Sequence, residues 1–274
     1  MSKIEIFNES VHDKHLFKAV LMAGAPGSGK STIVKELADV YSDSNFHFAN
    51  KDNRLDKSDK VFKYGAPTYT ISNENIALVN SDDIFEYLLT KNGLTHKMSD
   101  DPESELFQKQ QGLRKKAKNL IAKKRLNYIE GMLPLVIDGT GAKFDEIVQL
   151  TEMLEAEGYD VYMVYVDVEL ETSQARNKMR VRSVAPDVVE GIWTSVRNNK
   201  EKYEAYFGDK FFYEYNDTIE QDPDEEPKSE EELRREKIKR LRSYGRKIFN
   251  SPLENPIGKK KIKDAMDALK RKWK

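Results

Sequence analysis

A chain of 274 residues, 38% hydrophobic and 34% charged, is long enough for one α/β domain with an appendage or two small domains, and apolar enough to bury a core. A formal net charge of −1 announces no polyanionic partner for the molecule as a whole, and the lack of cysteine excludes disulfides, thiol catalysis and cysteine-held zinc. Residues 1–10 lack the apolar run of about 7–15 residues found in a secretory leader, and no stretch approaches the ~18 apolar residues of a membrane span. A cytoplasmic protein is therefore expected, in the host cytoplasm if a virus encodes it.

Residues 1–15 are polar and define no element. An apolar run over about 17–23 reads as a buried strand, and Gly24-Ala25-Pro26-Gly27-Ser28-Gly29-Lys30-Ser31, followed by Thr32, fits the phosphate-binding pattern G-x-x-x-x-G-K-[ST] without departure. Its glycines let consecutive N–H groups point into one concavity, and the helix from Ser31 to about Tyr41 turns the positive end of its dipole to the same place. In such a loop Lys30 faces the β- and γ-phosphates of ATP, and Ser31 is placed to ligate Mg²⁺. Residues 42–75, rich in Asn, Asp, Lys and Ser, form an insertion that reads as a surface hairpin, a small subdomain or a lid. A short strand over 76–80 leads into a helix opened by Ser81-Asp82-Asp83, with Ile84, Leu88 and Leu89 on its apolar face.

Helical spacing continues from Glu103 to about Gly131, with many lysines on the outside. Leu133–Asp138 is a third strand, ending in a carboxylate before Gly139-Thr140-Gly141. Phe144–Glu157 is an amphipathic helix closed by Gly158, and Val161–Val166 a fourth strand. Glu169–Ser183 is a charged helix carrying Arg176, Arg180 and Arg182, Pro186 opens a helix to about Phe207, and Phe211–Tyr215 completes the sheet. The alternation of strand and helix predicts a three-layer α/β/α fold with about five parallel strands, whose ligands lie at the carboxyl ends where Gly24, Asp82 and Asp138 fall. Composition then changes. Residues 220–232 hold eight acidic groups, whereas 234–274 hold sixteen Lys or Arg against four Asp or Glu. These numbers predict a domain over 1–219 and an acidic linker with a basic, helical tail over 220–274.

A nucleotide loop alone names no reaction. Asp82, across the cleft from the phosphates, is placed to take a proton from an attacking hydroxyl, with Asp83 as its alternate; capping of the helix is the rival role. Arg176 and Arg180 share one helix face and Arg182 sits at its end, suited to the charge that spreads over a transferring phosphoryl group, unless the helix is merely solvated. Asp138 can hold Mg²⁺ or an acceptor, and Thr140 can bind the acceptor or cap the next helix.

Gly24 to Ser31, Asn80-Ser81-Asp82, Ile137-Asp138-Gly139-Thr140-Gly141, Leu154 to Tyr159 and Arg182 to Pro186 together resemble the zeta-toxin family of kinases over roughly 17–217. A more distant similarity is to the kinase domain of polynucleotide kinases. The first resemblance implies ATP and Mg²⁺ as cofactors, a hydroxyl of UDP-N-acetylglucosamine or a related nucleotide sugar as acceptor, and Asp82 as base. It further implies Lys30 and Ser31 on nucleotide and metal, Asp138 and Thr140 on the acceptor, and Arg176 and Arg182 as lid arginines. The chain departs from that family in having Asp138 where Glu is common, and Ala142 where a basic residue is common. Two other readings stand beside it. One is a polynucleotide 5′-hydroxyl kinase that uses the basic tail, 234–274, to track a phosphate backbone or to contact a protein. The other is a nucleotide-binding scaffold without phosphotransfer.

Overall fold

The computed structural model describes residues 15–38, 70–71, 76–99, 101–180, 183–217 and 228–272. Most of the 42–75 insertion, the acidic stretch 220–227 and Arg182 lie outside the described residues. The sheet has six strands in the order β2-β3-β4-β1-β5-β6. They are β1 Lys18–Ala23, β2 Thr70–Ile71, β3 Ile76–Val79, β4 Leu135–Asp138, β5 Asp160–Asp167 and β6 Phe211–Tyr215. Five of these run parallel, as expected, and β2 adds a short antiparallel edge against β3.

Every residue of β1 and β5 is buried, because helices cover both faces of the centre of the sheet. Side chains alternate between two cores. Ala19, Leu21, Val161, Met163 and Tyr165 pack with Leu154, Val196, Tyr203 and Phe207. Val20, Met22, Tyr162 and Val164 pack on the opposite face with Ile33, Val34, Leu37, Leu241, Ile248 and Phe249. The first core is closed by α4 Phe144–Ala156, α6 Pro186–Asn198 and α7 Lys200–Phe207; the second by α1 Lys30–Ala38 and α8 Glu230–Phe249.

Between β3 and β4 the chain makes a helical hairpin of α2 Ser81–Lys91 and α3 Glu105–Glu130, joined by its own cluster of Phe85, Leu88, Leu89 and Ala117. Buried Gln110 on α3 ties down the connecting loop by donating to the carbonyls of Thr95 and Lys97 and accepting from Ser99 N. After β5 comes α5 Leu170–Lys178. Its C-terminus is tied off by Asn177, whose side chain donates to Val184 O and accepts from Val184 N.

Four local expectations change. The charged helix expected over 169–183 ends at Lys178, so Arg180 lies beyond it instead of on the face that carries Arg176. The helix opening α2 is capped by Asn80, whose Oδ1 accepts from Asp82 N at 2.8 Å, rather than by the Ser81-Asp82-Asp83 run. The single helix expected over 186–207 breaks at Asn199, where the side-chain amide donates to Ala142 O and the backbone starts a new helix. The basic tail also contributes apolar side chains to the core. α8 starts with a capping box between Ser229 and Glu232 and buries Leu241, Ile248 and Phe249 against the sheet.

The tail then turns through 250–255 into α9 Pro256–Lys272. That turn is clamped by a buried ion pair. Lys18 Nζ donates to Asp160 Oδ2 at 2.7 Å, Ser251 Oγ at 3.1 Å and Pro252 O at 3.2 Å. Asp160 accepts in turn from the backbone N–H groups of Glu254 and Asn255 at 2.8 and 2.9 Å. Gly158 and Gly258 meet backbone to backbone beside the clamp, where a Cβ on Gly158 would lie 2.7 Å from Gly258 N. Among the described residues no helix is long and apolar enough to cross a membrane.

Candidate active site

The turn after β1 carries positive φ at Gly27 (82°) and Gly29 (87°), the left-handed region that glycine occupies without strain. At Gly24, a Cβ would lie 2.6 Å from Val166 O, so only glycine lets the loop start against the end of β5. The outside of the loop is held by hydrogen bonds: Ser173 Oγ of α5 donates to Pro26 O at 2.7 Å, and Asn216 Nδ2, just past β6, donates to Ser28 O. Gly24 N donates to Thr140 O at 2.9 Å, which fixes the loop to the end of β4. Ser31 and Thr32 are exposed at the start of α1, open to a ligand in the concavity. The set of backbone amides, one lysine and a hydroxyl at a helix N-terminus fits a magnesium-bound polyphosphate. Among the described residues no group of three His, Asp or Glu could hold a metal by itself.

Register brings the charged groups together. In the β1–β4 pairing Met22 lies opposite Asp138, so the Asp138 carboxylate emerges beside the loop two residues further on. Lys30 Nζ rests on the carbonyls of Gly24 and Ala25 at 2.7 and 3.1 Å. Burial lowers the Lys30 pKa, and nearby Arg180 lowers it further, while Asp138 and Asp82 oppose the shift. Burial pushes the Asp138 carboxyl up; Lys30 and Arg180 pull it back and Asp82 adds to the rise. Asn80 Nδ2 donates to Asp138 Oδ2 at 3.1 Å, so the residue that caps α2 also orients the carboxylate at the end of the neighbouring strand. Asp83 is pushed up to about 6, first by burial and then by Glu86, Asp82 and Asp138, with Lys124 of α3 opposing.

Lys30, Asp82, Asp138 and Arg180 thus share one electrostatic environment, with Asp83 at its edge. Thr140 Oγ1 accepts from Ala142 N at 3.4 Å, which leaves its O–H free to donate. Arg176 turns toward the end of β6, where its Nη1 donates to Asn216 O at 2.8 Å. Among the described residues Arg180, just beyond the end of α5, is an arginine that acts on both Lys30 and Asp138. Two participants went unread in the sequence: Asn216 as a brace of the loop, and Asn80 as the partner of Asp138. Asn216 carried one signal, its place immediately beyond the carboxyl end of a parallel strand.

A glycine-rich phosphate loop after the central strand, with helices on both faces of a parallel sheet, defines a P-loop, kinase-like α/β fold. Residues 20–202 match the family described as an AAA domain, and the chain belongs to that family. No curated protein matches the sequence. Among solved structures, the chain is similar to one from the PezAT chromosomal toxin–antitoxin system of Streptococcus pneumoniae: 14% identity, 99% of this chain and 96% of that one covered, TM-score 0.43. It is also similar to AvrRxo1-ORF1:-ORF2 with ATP, at 13% identity, 93% and 86% coverage and a TM-score of 0.47. A third is deoxyadenosine kinase from M. mycoides with bound dATP, at 14% identity, 81% and 99% coverage and a TM-score of 0.34.

Proposed function

We propose that the protein is an ATP-dependent kinase that transfers the γ-phosphoryl group to a hydroxyl of a nucleotide sugar or related small molecule, in the cytoplasm. The observation that carries this reading is the strand register that sets Asp138 beside the glycine-rich loop bearing Lys30, with Asn80, the cap of the helix that carries Asp82, bonded to it. In it, the amides of residues 24–32 and Lys30 hold the β- and γ-phosphates. Ser31 and Asp138 would hold Mg²⁺, which would supply charge neutralisation there. Asp82 accepts the proton of the acceptor hydroxyl as that oxygen attacks phosphorus in line and the bond to the bridging oxygen of ADP breaks. Developing charge on the equatorial oxygens is met by Lys30 and Arg180, with Arg176 and Arg182 as further lid arginines. Asp83, Asp138 and Thr140 line the acceptor side.

A specific observation favours a second reading, a polynucleotide 5′-hydroxyl kinase. Between its end residues Glu105 and Glu130, α3 carries eight Lys or Arg and no Asp or Glu. One of these, Lys124, opposes the rise at Asp83, so the basic helix supplies a cation near that carboxylate, and a phosphate backbone suits such a helix. The deciding experiment incubates the protein with ATP and Mg²⁺ against nucleotide sugars and 5′-hydroxyl oligonucleotides, and identifies products by mass. A phosphorylated sugar supports the first reading and a phosphorylated oligonucleotide the second. ATP binding with no transfer to any acceptor overturns both and leaves a nucleotide-binding scaffold.

A further inference from the structure

The family match ends at residue 202, yet a cation from beyond it reaches Asn216, the residue that braces the phosphate loop. On α8 the inward positions at three- and four-residue spacing are Lys237, Leu241, Tyr244 and Ile248, of which Leu241 and Ile248 are fully buried. A lysine at the head of an apolar stripe ordinarily bends its ammonium out to water. Lys237 instead donates to Asn216 Oδ1. The same Asn216 gives its Nδ2 to Ser28 O, and its backbone carbonyl accepts from Arg176.

An ammonium can only donate, so its partner must be the amide oxygen of Asn216. The amide nitrogen is then left facing the loop carbonyl, and the side chain has one orientation instead of two. The brace is close, for a Cβ at Gly29 would strike Asn216 Nδ2. α8 is itself fixed at this level: Arg240 forms a two-pronged ion pair with buried Glu214 at 2.7 and 2.8 Å, and Tyr244 donates to Tyr213 O at 3.1 Å. Arg176 and Lys237 therefore meet on Asn216, two residues beyond the Glu214 that pairs with Arg240. Burial lowers the pKa of Lys237, Glu214 opposes, and the two arginines lower it further.

We propose that Lys237 is a positioning residue of the nucleotide site, acting from the C-terminal helix through Asn216 to hold the amides of the phosphate loop in their binding arrangement. This rests on reading the loop as a nucleotide site, and it makes α8 part of that site. By linkage, a bound nucleotide tightens the seating of α8 by the factor that α8 adds to nucleotide affinity.

The test uses the full chain with Lys237→Met, Lys237→Arg, Asn216→Ala, the double variant Asn216→Ala/Lys237→Met, and Lys239→Met on the exposed face as control. ATP·Mg²⁺ affinity is measured by calorimetry, and melting is followed without nucleotide. Lys237→Met is expected to weaken ATP about tenfold while its nucleotide-free midpoint moves by about 2 °C or less; Lys237→Arg restores most of the affinity and Lys239→Met changes nothing. The double variant loses no more than Asn216→Ala alone, because Lys237 acts through Asn216. Unchanged affinity in Lys237→Met, additive losses, or a loss matched by a lower nucleotide-free midpoint overturns the proposal. If the unaltered protein binds no nucleotide, the reading of the loop falls and this inference with it, an outcome distinct from equal binding by all variants.

Discussion

Asp138 is placed by strand register and Asp82 by a cap. Sliding β4 by one residue against β1 would turn the Asp138 side chain to the other face of the sheet, and losing the Asn80 cap would unwind the turn that carries Asp82. Asp82→Asn should cut phosphotransfer about 10²–10⁴-fold, the range of a general base, with ATP affinity changed less than about threefold. Calorimetry beside a single-turnover assay checks it, and equal loss in both would remove Asp82 from that role. Asp83 gives a pH signature. Its folded-state pKa of about 6 stands above the ordinary 3.8, so the nucleotide-free folded state holds this proton more tightly than the unfolded chain. The associated stability is present below about pH 4 and lost as pH rises through about 6. Asp83→Asn should therefore raise the melting midpoint relative to the unaltered protein above pH 6, with the difference vanishing near pH 4. At this scale the glycines, Lys30, Asp82 and Asp138 were legible, because strand ends and loop spacing are written locally. That α5 ends at Lys178 and leaves Arg180 beyond the helix that carries Arg176 was not, since a charged stretch holds no apolar periodicity to mark its end.

Elements two hundred residues apart in sequence share one core here. The spacing of Leu241, Ile248 and Phe249 is an ordinary amphipathic stripe, and the expected helix over 229–249 forms where the pattern placed it. Its destination was hidden by charge: sixteen Lys or Arg over 234–274 read as a basic, helical tail, while a few apolar residues decide what the helix covers. Lys18 misleads in the same way, being fully buried at the start of a strand and paired with Asp160. Removing one partner of such a pair strands the other charge, at a cost of about 3–5 kcal/mol. Asp160→Asn should lower unfolding free energy by about that amount in denaturant titration, and Lys18→Met/Asp160→Asn should recover part of the loss. Gly258→Ala should weaken the same region, since its Cβ would press on the backbone of Gly158.

Taken whole, the molecule is a parallel sheet whose second face is covered jointly by the phosphate-loop helix and the C-terminal helix. The division into a domain over 1–219 and a tail over 220–274 followed a real change in composition, but composition records charge and does not record which surfaces meet. His15, ahead of β1, hydrogen-bonds Phe249 O at 3.0 Å, another join between the two ends of the described fold. A chain shortened to residues 1–219 would bare Val20, Met22, Ile33 and Val164, and should melt at least about 10 °C lower or aggregate, as calorimetry and light scattering would report.

The clamp at Lys18 also sets an order of events on the ribosome. Lys18 is made early, Asp160 142 residues later and Ser251 a further 91, which at about 5–20 residues per second is a wait of roughly 5–20 s after Asp160. Through that interval α1 alone covers the second face of the nascent sheet, and a chaperone that shields the remaining apolar surface until residue 255 emerges would be the natural escort.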